Sequence, residues 1–181
     1  VVFLGDSLTA GLGIGEPEAF PEWVRQRLAE EGTDIRVVNA GISGDTTAGG
    51  LARLDWVLRQ QPGILVVGLG ANDGLRGLAL EETEANLRAI VENARRAGTR
   101  VLLLGMVLPP NYGADYTTGF REIFPRLARE LGTPLVPFLL SGVAGRAELN
   151  QADGIHPTVE GHRLMAENVL PELRAMLRTG G

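Results

Sequence analysis

Val1-Val2-Phe3-Leu4-Gly5-Asp6-Ser7-Leu8-Thr9 opens the chain, an apolar run that ends on a glycine and a polar stretch. Consecutive apolar residues without alternation read as a strand buried on both faces, the habit of parallel sheets. The same signature recurs at 35–39, 64–69, 100–107 and 134–138. Amphipathic stretches lie between and after these runs, at 21–31, 46–59, 81–97, 120–131 and 159–177. The third of these opens with acids and closes with Arg95-Arg96 before Gly98, matching the helix macrodipole at both ends. The last is expected to be interrupted at Pro171. Strand and helix alternate, so the predicted fold is α/β, with a parallel sheet sandwiched between helices. The 181 residues suffice for one full core, and no linker, repeat or low-complexity tract divides them, so 1–181 reads as a single domain.

Composition narrows the function. Hydrophobic content of 44% and charged content of 22% are those of an ordinary globule. A net charge of −5 with scattered arginines offers no basic stripe, which argues against a nucleic-acid partner. No apolar stretch has the length of a membrane span. With no cysteine, thiol catalysis and disulfides are excluded, while the compartment stays open. The chain starts on Val1, so residue 1 is not read as a translational start.

The chemistry-bearing residues follow the strands. Ser7 stands just behind the first apolar run, and Asp153-Gly154-Ile155-His156-Pro157 lies ahead of the last helical stretch. A serine hydroxyl is a poor nucleophile until a neutral imidazole takes its proton. The imidazole in turn needs an acceptor to fix its tautomer and balance its charge. With only His156 and His162 in the chain, the search for a base is short. Asp6 or Ser7 could equally cap a short helix. Two further segments trail strands: Asn39-Ala40-Gly41-Ile42-Ser43-Gly44-Asp45 and Gly68-Leu69-Gly70-Ala71-Asn72-Asp73-Gly74. The first brings glycines where a backbone amide could meet a ligand. The second brings an asparagine amide of the kind a developing oxyanion needs, although Asn-Asp-Gly is also an ordinary turn.

Taken together, Gly5-Asp6-Ser7-Leu8, Gly41-Ile42-Ser43-Gly44-Asp45, Gly70-Ala71-Asn72-Asp73 and Asp153-Gly154-Ile155-His156-Pro157 resemble the SGNH hydrolases, also called GDSL esterases and lipases. Asn72-Asp73-Gly74-Leu75-Arg76-Gly77 and Leu108-Pro109-Pro110-Asn111-Tyr112-Gly113 resemble, more narrowly, the bacterial thioesterase I, lysophospholipase and arylesterase branch. The resemblance covers nearly the whole chain. It implies a flavodoxin-like three-layer α/β/α sandwich with a five-stranded parallel sheet. It also implies a serine esterase for acyl esters or thioesters, working without metal or cofactor. Ser7 would be the nucleophile, His156 the general base and Asp153 its orienting acid. The N–H groups of Ser7 and Gly44 and the side chain of Asn72 would form the oxyanion hole, with a helix dipole behind Ser7. Leu75, Leu108, Pro109, Pro110, Tyr112 and Ile155 would line an apolar acyl cleft, and the 109–118 segment would cover it. A periplasmic or secreted location also follows from the resemblance, while the oligomeric state is left open.

The alternatives are weaker. No Gly-x-Ser-x-Gly elbow surrounds Ser7 or Ser43, and Ser141 reads as structural. Asp153, His156, Glu160 and His162 lack zinc-site spacing, and His162 is expected on the solvated face of the last helix. The Gly11-Leu12-Gly13-Ile14-Gly15 run lacks the lysine of a phosphate loop and the spacing of a dinucleotide fingerprint. Two other readings share the fold: a carbohydrate O-deacetylase, expected to have a polar open cleft, and a non-catalytic binding module.

Overall fold

A computed structural model describes residues 1–179. Its sheet has five parallel strands in the order β2-β1-β3-β4-β5, the flavodoxin-like order. The strands are β1 Val2–Gly5, β2 Val38–Gly41, β3 Ile64–Gly68, β4 Arg100–Leu104 and β5 Leu135–Val136. Among the described residues eight α-helices accompany them: α1 Ser7–Ala10, α2 Phe20–Glu30, α3 Thr47–Ala52, α4 Leu54–Leu58, α5 Ala71–Leu75, α6 Leu80–Arg96, α7 Ala114–Leu131 and α8 Val159–Arg178. Helices α2 and α8 pack together on one side, and α3, α4, α6 and α7 form the other layer. The predicted three-layer α/β/α fold is the one observed.

Every residue of β1 and β3 is buried, as their unbroken apolar runs require. The edge strands are shorter than the runs that announced them. Pro134 and Pro137 bracket β5 and leave two residues to pair, because proline has no N–H for the ladder. The 35–37 stretch stays out of β2, and Val38 is the first residue in register, opposite Val2. In the register of β2, β1 and β3, Gly5 stands opposite both Gly41 and Gly68. A Cβ on Gly41 would lie 2.3 Å from the Ala10 nitrogen, and one on Gly5 would lie 1.9 Å from Thr9 Oγ1. The glycine row therefore lets α1 sit directly on the carboxyl ends of the strands.

Three helix expectations change. The 46–59 stretch splits at Arg53, whose φ of −100° and ψ of 3° separate α3 from α4. Helix α7 begins at Ala114, six residues before the expected start, because its first turns are polar and lack an apolar stripe. Helix α8 is not interrupted: Pro171 lies within it on an exposed face, where water can satisfy the carbonyl that loses its partner.

The largest departure is His162, expected in solvent and found 1% exposed. Helix α2 begins after Ala19, which has no side chain to cap it, so the Phe20 N–H is one of the orphan amides of a helix start. His162 Nδ1 accepts that N–H at 3.2 Å, and its ring stacks on Phe20 at 6.3 Å between centroids. Burial holds the imidazole down to about 4. The unfolded chain takes up this proton near pH 6.5 and the folded chain only near pH 4. The contribution is therefore complete above about pH 6.5 and is lost as pH falls towards 4, with a ceiling of roughly 3 kcal/mol. Burial pushes the Asp6 carboxyl up to about 7, so its contribution has the opposite sign and grows as pH falls. His162→Gln separates the two. Denaturant titrations across this range should show a smaller acid loss in the variant than in the wild type. Parallel curves would remove His162 from the account.

Candidate active site

Ser7, the Gly44 turn and Asn72 follow β1, β2 and β3, so all lie at the carboxyl rim of the sheet beside the β1/β3 switch point. Ser7 is the first residue of α1, and the Asp6 side chain caps that helix by accepting the Leu8 N–H at 3.0 Å. Both readings of the Gly-Asp-Ser segment hold, since Asp6 caps and Ser7 faces the cleft. The helix is only four residues long, so it has almost no summed dipole. Any electrostatic help to Ser7 comes from individual N–H groups rather than from the helix as a whole.

Ser7 Oγ lies 2.9 Å from His156 Nε2, across 149 residues of sequence. On the other side of the ring, Nδ1 is 2.6 Å from Asp153 Oδ2. Asp153 Oδ1 accepts the N–H groups of His156 and Ile155, each at 3.0 Å. The His156 N–H, then its ring, then the Ile155 N–H hold the Asp153 carboxyl down to about 2. An ionised carboxylate only accepts, so Nδ1 carries the ring proton and Nε2 is left to accept from the serine hydroxyl. The Asn150–Pro157 bridge closes this loop. Gln151 Nε2 ties it to α1's exit by donating to Leu12 O at 2.7 Å and to Pro157 O at 3.0 Å.

The second and third loops meet at Asp45. Gly44 has a φ of +81°, at the third position of a turn closed by Asp45 N–H donating to Ile42 O. Asn72 Nδ2 donates to Asp45 O at 2.8 Å and stands 3.5 Å from Asp6 Oδ2. One amide hydrogen is thus engaged, and the other points toward Asp6. Neither Ser7 N–H nor Gly44 N–H has an acceptor among the described residues. Asp73, 2% exposed, accepts from the Thr47 N–H at 2.9 Å and from its hydroxyl at 2.5 Å. This fastens α5 to the start of α3.

Beside Ser7 and His156 opens a cleft of about 510 Å³, within the range of small-molecule sites. Leu75, Leu108, Pro109, Pro110 and Ile155 line it as expected from the sequence. Tyr112 does not: its hydroxyl donates to Leu75 O at 3.1 Å, so it braces the wall from behind. Part of the 109–118 cover is regular structure, a 3₁₀ turn at Pro110–Tyr112 followed by the start of α7. The sequence reading missed the far wall, where Phe138, Leu140 and Ala144 come from the loop after β5. That loop leaves the same carboxyl rim, which was the available signal. The groove at the amino end of the sheet is different in kind, because its Arg95 and Arg100 are engaged with main-chain carbonyls. Among the described residues no three His, Cys, Asp or Glu side chains gather as a metal site. Ser43 is exposed in the Gly44 turn, and the His156 ring is engaged with Ser7.

Comparison with known proteins agrees with this picture. The sequence pattern of the GDSL-like lipase/acylhydrolase family matches residues 3–164. Esterase TesA of Pseudomonas aeruginosa is 46% identical over 178 residues, covering 98% of this chain and 89% of its own. Thioesterase 1/protease 1/lysophospholipase L1 of Escherichia coli is 39% identical over 178 residues, covering 98% and 84%. A crystal structure of TesA, 46% identical, superposes with a TM-score of 0.93 over 97% of this chain and 98% of its own. From its motifs to its sheet order, the chain belongs to the GDSL-like lipase/acylhydrolase family.

Proposed function

We propose that the protein is a serine esterase that hydrolyses carboxylic esters or thioesters of acyl chains through an acyl-enzyme at Ser7. The observation that carries this reading is the Ser7–His156–Asp153 relay, 2.9 and 2.6 Å long, at the edge of an apolar cleft. Ser7 Oγ attacks the carbonyl carbon as its proton passes to His156 Nε2. The tetrahedral oxyanion then faces the N–H groups of Ser7 and Gly44 and the Asn72 amide hydrogen that otherwise points toward Asp6. Collapse breaks the bond to the alcohol or thiol, which leaves with the proton from His156. Water, deprotonated by the same nitrogen, attacks the acyl-serine carbonyl and releases the acid. Asp153 stays ionised throughout and balances the transient imidazolium.

The relatives' names, an esterase and a thioesterase/lysophospholipase, support the same class of bond. The apolar walls at Leu108, Pro109 and Phe138 favour an acyl chain over the acetyl groups of a sugar. Intact relay geometry speaks against a binding module without chemistry. A panel of p-nitrophenyl esters from acetate to palmitate, with acyl-CoAs and acetylated sugars, tests the reading. We expect hydrolysis of the acyl esters, and a phosphonate that adds mass at Ser7. Turnover of acetylated sugars alone would move the assignment to a deacetylase.

Asn72 separates this site from a bare serine–histidine–aspartate arrangement. Its amide meets charge that exists only in the transition state, so Asn72→Ala should lower kcat by about 10²–10³-fold with little change in KM. Loss of the bond to Asp45 O should cost little stability in comparison, about 1 kcal/mol. A large fall in Tm with kcat intact would make Asn72 a turn residue and place the hole elsewhere.

A further inference from the structure

Arg53 separates α3 from α4 and is one of the scattered arginines of the sequence. In the structure its side chain is only 16% exposed, and its partner Asp45 is 11% exposed. The guanidinium uses three nitrogens on three acceptors. Nε donates to Asp45 Oδ2 at 2.7 Å, Nη1 to Ala40 O at 2.7 Å and Nη2 to Gly5 O at 2.9 Å. Ala40 lies in β2, and Gly5 ends β1 two residues before Ser7. Asp45 ends the turn that carries Gly44, and its main-chain oxygen is the acceptor for Asn72 Nδ2. Arg53 is the only side chain among the described residues that bonds both to this turn and to Gly5.

We infer that Arg53 is a positioning residue for the oxyanion hole, setting the Gly44 turn and the Asn72 amide in register with Ser7. The inference rests on the roles proposed above for these three groups. Three donors from three separate loops stabilise an oxyanion only if their spacing is set before the reaction. The planar fork of arginine spans the strand ends and the turn at once, which a single ammonium group has no geometry to do. Arg53 itself touches no reacting atom. Removing it also leaves the Asp45 carboxylate without its ion pair and with only the Thr46 N–H to hold it, free to drag its own carbonyl, and with it the Asn72 amide, out of place.

The test compares Arg53→Ala and Arg53→Lys with the wild type on one p-nitrophenyl ester, well below each protein's Tm. Both should lose up to about 100-fold in kcat with KM nearly unchanged, since a misplacement near 1 Å is enough for that. In an Asn72→Ala background the same changes should cost much less, because the donor being positioned is already gone. Millimolar methylguanidinium should restore part of kcat in Arg53→Ala. Unchanged kcat in Arg53→Lys, or equal losses in both backgrounds, overturns the inference. Should Arg53→Ala fail to fold, Arg53→Lys and its double variant with Asn72→Ala carry the comparison. Ser7→Ala is run in parallel: full activity there removes the serine reading itself, whereas an inactive Ser7→Ala beside an unaffected Arg53→Lys removes only Arg53.

Discussion

Ser7→Ala should lower kcat by about 10⁴–10⁶-fold and leave the fold intact, the largest effect expected of any single change here. The hydroxyl makes one hydrogen bond in the structure, to His156 Nε2, and alanine is at least as good a helix former at that position. Stability should therefore move by about 1 kcal/mol or less. The residual rate comes from what the variant keeps: the cleft, the main-chain N–H groups and Asn72. Mass spectrometry after phosphonate treatment gives an independent readout, with the adduct present on Ser7 in the wild type and absent in the variant. Label on Ser43, or undiminished turnover by Ser7→Ala, would end the assignment.

His156→Ala should be nearly as damaging, because nucleophile and base act as one unit and removing either disables the pair. The prediction gains its force from the contrast with the other histidine. His162→Gln leaves the Ser7–His156–Asp153 relay untouched and should retain most of the activity while changing acid stability. In the wild type the Ser7 hydroxyl proton passes to His156 Nε2, the nitrogen left open by the bond from Nδ1 to Asp153. Asp153 keeps its charge for that role, since its carboxyl is held down to about 2 by the His156 N–H, the His156 ring and the Ile155 N–H. Equal losses from the two histidine variants, or inactivation by a chelator with rescue by zinc, would point to a metal site instead.

Much of this was legible in the sequence for physical reasons, and the rest was hidden for equally physical ones. Strands β1 and β3 lie inside the sheet, so their composition declares them, whereas edge strands β2 and β5 are trimmed by a missing neighbour or by proline. Ser7, His156 and Asp153 were readable because serine and histidine are scarce in this chain and these residues fall at a strand end or beside a proline. His162 was misread because the amide that draws it inward is 142 residues away. Arg53 and Asp73 were not picked out for the same kind of reason, each bonded to groups that only the sheet brings near. The cleft wall at Phe138, Leu140 and Ala144 bears no motif, since apolar contact constrains size and polarity without demanding a particular residue.

The loop closed between Asn150 and Pro157 carries both the imidazole and its carboxylate, while the residues ahead of it, from Phe138 to Gly145, form the far wall. The two segments join at Asn150, whose amide holds the carbonyls of Val143 and Arg146, each at 2.8 Å. The proton relay and the far wall of the cleft are thus written on consecutive pieces of chain. For a protein engineer this is modularity: exchanging the wall while keeping Asn150 and everything after it should retune which acyl chain is accepted and leave the proton relay as it was.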